Sequence, residues 1–465
     1  MKKDDIDALC EHLKTILSKH IIGILSHFDV DNDPFINLEL SLFEKMKDVA
    51  REALERLVPE LYGDGYYGGT VKYHDGNIYQ CQIRSHDKPL STVFGKINIK
   101  RAYYEDKYHG TSIGLLDKKL DIAGERFSPL LRYWITIFGT VVPFNEAHNL
   151  IQKITLEKIS TKKIERLTES VADEIMSKSM REREFVEVDH NGHVEPADIV
   201  FDESSQEIIN LQTDGCHVPT RKAWTECKTM MLFKTEKEDF INKKGKKDTR
   251  IKLIDKKYYS TTTPVDFFKK NVKLNLENYC YNKPVKRIIC LGDGAHWIWN
   301  MFAEIIPENR IEILDWYHAS ENIRKRALEI FPKDEDARNK FIEKAESSLF
   351  KGGYAPLKKF LEDAYESIKS RKKQAEIYKL LEYFENNKDR LDYPTYKKKG
   401  YAIGSGAVES ANKYVVQRRL KLPGIRWNPK TVDSMAHIRA SYINEEIEDF
   451  YKITYFEKME KLATT

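Results

Sequence analysis

The chain has 465 residues, 41% apolar and 32% charged, the balance of a soluble globular protein with roughly two to four domains. Its net charge of +4 is the remainder of 77 basic and 73 acidic side chains, so bulk charge does not mark a nucleic-acid binder and local patches must decide. No apolar run reaches the ~20 residues that span a bilayer, and the N-terminus MKKDDIDALCEHLKTIL lacks the apolar stretch of a secretion signal, which argues against membrane contact. The six cysteines (Cys10, Cys81, Cys216, Cys227, Cys280, Cys290) form no CxxC pair, and they suit free thiols in a reducing cytoplasm.

Along the chain, residues 1–60 carry helical periodicity, with Leu9, Leu13, Ile16 and Leu17 and then Phe43, Met46, Val49, Ala53 and Leu57. Strands are expected over 70–104, and RFSPLLRYWITIFG (126–139) is helical. Residues 143–178 predict two helices, the second capped by Ser160, as in a helix-turn-helix or an ordinary helical hairpin. A polar linker follows at 181–205.

A strand–helix alternation starts near 206. EIINLQTDG, WTECKTMMLFKTE, KRIICLGDG and RIEILDW read as strands; PVDFFKKNVKLNLENY, HWIWNMFAEII and YHASENIRKRALEIF read as helices. NKKGKKDTR suits an exposed hairpin tip. Residues 333–392 are wholly helical and highly charged, like an inserted bundle, and the chain re-enters through AIGSGAVESANKYVVQRRLKL.

Three acids stand out. Asp214 and Asp293 each end an apolar run and precede Gly; Glu409 begins a helical stretch rich in basic residues. Carboxylates at the ends of neighbouring strands converge on one sheet edge. There they can hold two Mg²⁺ or Mn²⁺ ions about 4 Å apart for phosphoryl transfer. An Asp-Gly pair is more often a plain turn, as expected at Asp64-Gly65 and Asp75-Gly76, and a helical Glu is more often a solvated face. Asp315 and His318 form a second strand-end pair, with Asp315 equally suited to cap the next helix. Lys413, Arg418, Arg419, Lys421 and Arg426, with Trp427 beside them, supply phosphate contacts and a stacking aromatic, although a charged run is usually just a solvated face.

TDGCHVPTR with WTECK, then GDGAHWIWN, ILDWYH and GSGAVESANKYVVQRRLKLPGIRW, taken together and in this order, resemble a DDE-type transposase of a bacterial insertion sequence, in the Mutator-like branch. The resemblance covers roughly 205–440. It implies an α/β ribonuclease-H-like catalytic domain (206–332 and 400–445) interrupted by an all-helical insertion (333–399). An α+β N-terminal region (1–140) and a candidate helix-turn-helix (141–180) precede it. It also implies Asp214, Asp293 and Glu409 as the metal-binding triad and Asp315 and His318 as an auxiliary Asp-x-x-His motif. The implied partners are the DNA of element ends and target, bound by a dimer or larger assembly, nucleoid-associated in the cytoplasm. Where some similar proteins have a cysteine pair after a strand like INIKRAYYE, this chain reads DKYHGTS, so no N-terminal zinc site is expected. Two rival classes remain: a transposase-derived DNA-binding protein without catalysis, and a carboxylate-pair hydrolase such as a glycosidase.

Overall fold

Strict alternation builds the first sheet. In GKINIKRAYYED the side chains of Ile97 and Ile99 are buried while Lys96, Asn98 and Lys100 face solvent. The structure, a computed structural model, describes residues 3–29, 34–74, 76–106, 108–155, 157–183, 194–241, 245 and 247–453. The chain divides into two compact units, Met1–Thr168 with Tyr451–Thr465, and Glu169–Phe450. Among the described residues no helix is long and apolar enough to cross a membrane.

The first unit opens with two long helices, α1 (Lys3–Leu25) and α2 (Phe35–Tyr62). Its antiparallel sheet runs β1 (Thr70–Lys72), β2 (Ile78–Thr92), β3 (Gly95–Asp106) and β4 (Ser112–Ile113), in that order. Leu54 and Val58 of α2 pack on Leu90, Ile97 and Ile99 of the sheet. Then come α3 (Leu115–Lys119), α4 (Pro129–Val141), α5 (Phe144–Thr155) and α6 (Thr161–Arg183). Ser128 caps α4 by accepting from Leu131 N at 3.3 Å. The expected helix pair of 141–180 is α5 and α6. The apolar face of α5 (Ala147, Ile151) and Ile164 at the start of α6 are spent on a core shared with Leu131 and Ile135 of α4. The unit boundary falls within α6.

The second unit holds a five-stranded sheet of β5 (Ile208–Pro219), β6 (Trp224–Ile241), β7 (Lys247–Thr261), β8 (Arg287–Gly292) and β9 (Arg310–Leu314), in spatial order β7-β6-β5-β8-β9. The strands β7, β6 and β5 pair antiparallel; β8 and β9 run parallel to β5. The apolar runs IINL, IICL and IL are buried because helices cover the parallel strands. Those helices are α7 (Val265–Cys280), α8 (His296–Ile305) and α9 (Trp316–Ile330).

The charged helical stretch comprises α10 (Glu335–Gly352), α11 (Tyr354–Ser367), α12 (Arg371–Asn386) and α13 (Tyr393–Lys399). Its amphipathic faces place Leu349, Leu357, Leu361, Leu380 and Phe384 in the same apolar core as Ile289, Ile313 and Leu314 of the sheet. Tyr393 Oη donates to Leu314 O at 2.9 Å, fixing α13 to β9. The chain ends its second unit with α14 (Gly406–Ala411), a π-helical stretch Asn412–Gln417, α15 (Arg418–Leu420), α16 (Val432–Ile443) and α17 (Glu446–Phe450).

Two expectations change. The polar linker of 181–205 is pinned over its described part: Ala197 N donates to Ile305 O at 2.8 Å, Asp202 N to Val285 O at 3.0 Å, and Phe201 bridges Val285. Residues 184–193 of that linker lie outside the described residues, as do 242–244 and 246 of the expected Lys-rich hairpin tip. Cysteine usage is as a reducing compartment demands: all six are free, and Cys227, Cys280 and Cys290 are buried.

Because sheet and helical stretch share one core, a cavity made in the helices should weaken both together. Leu361→Ala should cost about 3 kcal/mol. Urea unfolding followed by the near-ultraviolet signal of Trp299, beside the sheet, and by far-ultraviolet helicity should shift to the same extent.

Candidate active site

Strand register alone brings three aspartates level. The parallel ladder of β5 with β8 ends at Gln212↔Leu291, and that of β8 with β9 at Gly292↔Leu314. Carried forward in the same register, Asp214 comes beside Asp293, and Asp293 beside Asp315. Asp315 N donates to Gly292 O at 2.9 Å, so the β8–β9 ladder does continue one step. The three carboxylates thus lie along the C-terminal edge of three adjacent parallel strands.

Asp214 differs from expectation in one respect: it is not at a strand end. β5 runs on to Pro219 because β6 pairs with it throughout, from Asn210↔Phe233 to Pro219↔Trp224. What stops is the pairing to β8, which frees one edge of β5 at the acid. Asp214 is half-buried; its Oδ1 accepts from Gly215 N at 2.8 Å and its Oδ2 from Asn412 Nδ2 at 2.7 Å. Burial pushes its carboxyl above the usual range; those two hydrogen bonds and His318 pull it down, and the charge of Asp293 pushes it further up.

Asp293 leaves β8 in a tight turn whose Oδ1 accepts from Ala295 N at 2.9 Å, and α8 follows. Gly294 here has φ +102°, and a Cβ on it would stand 3.2 Å from Leu314 and 3.3 Å from the Tyr383 hydroxyl, so glycine is required. Tyr383 comes from α12, and its pKa is pushed up to about 12 by burial and then by the charges of Asp293 and Asp315. The helical insertion therefore supplies a wall of the acidic edge.

Asp315 is fully buried and fully engaged. It caps α9 through His318 N at 3.0 Å, contacts His318 Nδ1 at 2.5 Å, and accepts from Ser405 N at 2.6 Å and Ser405 Oγ at 2.9 Å. Burial alone would raise its pKa, but the bonds from His318 and Ser405 outweigh it and hold the carboxyl below the usual range. The same contact raises His318 to about 9, against the opposing effect of burial, with further help from Asp293 and Asp214. His318 is therefore an imidazolium at neutral pH, the resident cation of this edge.

Glu409 arrives from the other side of the insertion. The turn before α14 is fastened at three points. Trp316 N donates to Ile403 O at 2.9 Å, Gln212 Oε1 accepts from Val408 N at 3.2 Å, and Ser405 binds Asp315. Ser405 Oγ also donates to Glu409 Oε1. One hydroxyl hydrogen serves two carboxylates, so Ser405 satisfies only one at a time. Glu409 is exposed and lines, with Asp214, Asn412 and Lys413, an open groove of about 530 Å³. Gln212, Ser405, Asn412 and Tyr383 are the contributors that the sequence reading missed. Only Gln212 left a trace there, as a polar residue inside a buried run.

The model of a family described as "Uncharacterised protein family (UPF0236)" matches residues 34–449. The chain belongs to the UPF0236 family. It is similar to three UPF0236 proteins of Caldanaerobacter subterraneus subsp. tengcongensis. One is 24% identical over 393 residues, covering 84% of this chain and 74% of the relative. A second is 23% identical over 396 residues (84% and 75%), and a third 23% over 360 residues (77% and 68%). The first carries eleven locus designations under one protein name, and the third carries four.

In this UPF0236 chain the expected basic run splits in two. Lys413, Arg418, Lys421 and Arg426 are exposed. Arg419 and Trp427 are not available to a ligand: Arg419 is 1% and Trp427 5% exposed. The guanidinium lies 4.9 Å from the indole centre, and Trp427 Nε1 donates to Leu420 O at 3.0 Å. The π-helical stretch causes this split by widening the helix, so the side-chain order no longer follows a 3.6-residue period.

Among the described residues no group of three or more His, Cys, Asp and Glu is gathered tightly enough to hold one ion as placed. The donor chemistry nevertheless suits a hard divalent cation. Asp214 and Asp293 offer carboxylate oxygens, and Asn412 Oδ1, buried beside Asp214, has no hydrogen-bond donor. Asp315, with its oxygens already engaged, fits a positioning part better than a ligand's.

The His318–Asp315 pair has a pH signature. Its stabilisation is complete below the unfolded imidazole value near 6.5 and is lost as pH rises through about 9; Asp315's own share is lost only in acid, below 3.8. Urea midpoints should fall between about pH 7 and 10 in the natural protein and stay flatter in His318→Gln. Asp315→Ala strands the buried Ser405 amide and the His318 cation and should cost about 3–5 kcal/mol. Asp293→Asn keeps the cap on Ala295 and should stay within about 0.5 kcal/mol in the same assay.

Proposed function

We propose that the chain is a DDE-type transposase of a bacterial insertion sequence, in the Mutator-like branch, with a ribonuclease-H-like catalytic domain formed around the β5–β9 sheet. The observation that carries this reading is the level row of Asp214, Asp293 and Asp315 across three parallel strands, with Glu409 returned to the groove of Asp214 after the helical stretch. The many loci of its UPF0236 relatives in one genome also suit an element that copies itself.

Asp214 and Asp293 would hold two Mg²⁺ or Mn²⁺ ions through hard oxygens, with Glu409 completing the set. When bound, such ions activate an attacking water or DNA 3′-hydroxyl and stabilise the leaving oxygen. The protein's own groups do the rest. Asn412 holds the Asp214 carboxylate in place, and its unpaired Oδ1 faces where positive charge is wanted. His318, kept protonated by Asp315, balances the acidic edge and leaves Asp315 unsuited to act as a base. Lys413, Arg418, Lys421 and Arg426 offer phosphate contacts beside the groove. The substrate would be DNA at the ends of the mobile element and at its target, brought together by a dimer or larger assembly.

The test is nicking and joining of a plasmid that carries the gene with its flanking DNA, with Mg²⁺ or Mn²⁺. Asp293→Asn and Asp214→Asn should each lose at least about a hundredfold in nicking rate while binding the same DNA. Full activity of Asp293→Asn would sink the assignment. Sequence-specific binding without any nicking would return the reading to a DNA-binding protein. Activity that survives complete metal removal would return it to a carboxylate-pair hydrolase.

A further inference from the structure

The turn between β5 and β6 carries an exposed tryptophan that the acidic site does not use. Trp224 is 56% exposed, which is uncommon for so large an apolar side chain. Lys421 Nζ stands 5.6 Å from its ring centre, and Arg221 and Lys222 are exposed on the same turn. Tyr414, also exposed, repeats the pattern, with the Arg418 guanidinium 5.9 Å from its ring.

The turn is held rigidly. Thr220 Oγ1 donates to Ala223 O at 2.6 Å and accepts from Ala223 N at 3.1 Å. Arg221 N donates to Trp427 O at 2.9 Å, and Trp427 N to Pro219 O at 3.1 Å. The two tryptophans thus divide the work. Trp427 turns inward under Arg419 and braces the turn, and Trp224 is left facing solvent on a fixed support. An aromatic face that is rigid, exposed and bordered by cations fits a planar group attached to a phosphate chain.

The turn also lies in line with the acidic groove. Asp214 pairs with Thr229, and Trp224 is five residues further along β6. That is about 17 Å at ~3.3 Å per residue, or roughly five nucleotides at the ~3.4 Å spacing of one stacked strand. Lys421 joins the two places: it touches Trp224, and its charge also acts on Cys216 in the groove wall.

We propose that the β5–β6 turn is a stacking platform on which Trp224 receives an unpaired DNA base a few nucleotides from the phosphate held at Asp214, with Arg221, Lys222 and Lys421 gripping the flanking backbone. This rests on the reading of the chain as a DNA-cleaving enzyme and adds the part of the substrate it reads: single-stranded or frayed DNA beside the scissile bond.

The experiment uses the full chain in EDTA, so that binding is separated from cleavage. Two probes of one sequence are compared by fluorescence anisotropy: a blunt duplex, and a duplex with a single-stranded end containing 2-aminopurine. Trp224→Ala should bind the single-stranded end about tenfold or more weakly and lose the 2-aminopurine quenching. Its duplex affinity should stay within about twofold, since the phosphate contacts remain. Trp224→Phe should keep most of both signals. Equal weakening on both probes, or none on either, overturns the platform, as does tighter binding of the natural protein to anionic vesicles than to DNA. If the natural protein binds and nicks DNA but Trp224→Ala matches it, only the platform fails. If the natural protein binds neither probe, the DNA reading fails and the platform with it.

Discussion

Everything at the acidic edge depends on one buried carboxylate. Asp315 closes β9, caps α9, holds the His318 imidazolium and takes two hydrogen bonds from Ser405, ninety residues downstream. Burying a charge is costly unless each oxygen is partnered, and here each is. The same bonds decide where the chain re-enters after its long helical excursion. Ser405 is fastened to the sheet, so the helix that begins one residue later must bring Glu409 to the groove of Asp214.

The helical excursion is part of that arrangement. Its apolar faces share the core of the parallel strands, its Tyr393 reaches the end of β9, and its Tyr383 crowds Gly294 beside Asp293. Docking an amphipathic bundle on the sheet turns a long crossing into a rigid connection. The acid before it and the acid after it are thereby held with the precision of packed secondary structure.

Local pattern made much of this legible. Continuous apolar runs ending in Asp gave away β8 and β9, whose buried faces leave no alternation to read. The amphipathic period marked α9 to α12. Contacts distant in sequence were not legible. Asp214 sits inside a strand because β6 continues to pair after β8 stops, which nothing near residue 214 announces. Arg419 and Trp427 carry the composition of a nucleic-acid surface, yet they pack on one another, because the helix before them changes its winding. Ser405, Gln212 and Asn412 acquire their parts only from partners 90 to 198 residues away. The described part of 181–205 is polar like a linker, but its backbone groups find partners on Val285 and Ile305.

The π-helical stretch Asn412–Gln417 has a consequence for how this region tolerates change. A π turn holds one residue more than an α turn over the same rise, so it behaves as an inserted letter in an otherwise regular phrase. Deleting any one residue there would let the run relax to α-helix and rotate everything beyond it by about 100° relative to Glu409. Arg419 would leave its indole, and the exposed cations would face another way, with every side chain of the acidic edge unchanged. Substitutions are absorbed locally here, whereas a change in length uncouples the carboxylates from the surface that lies beside them.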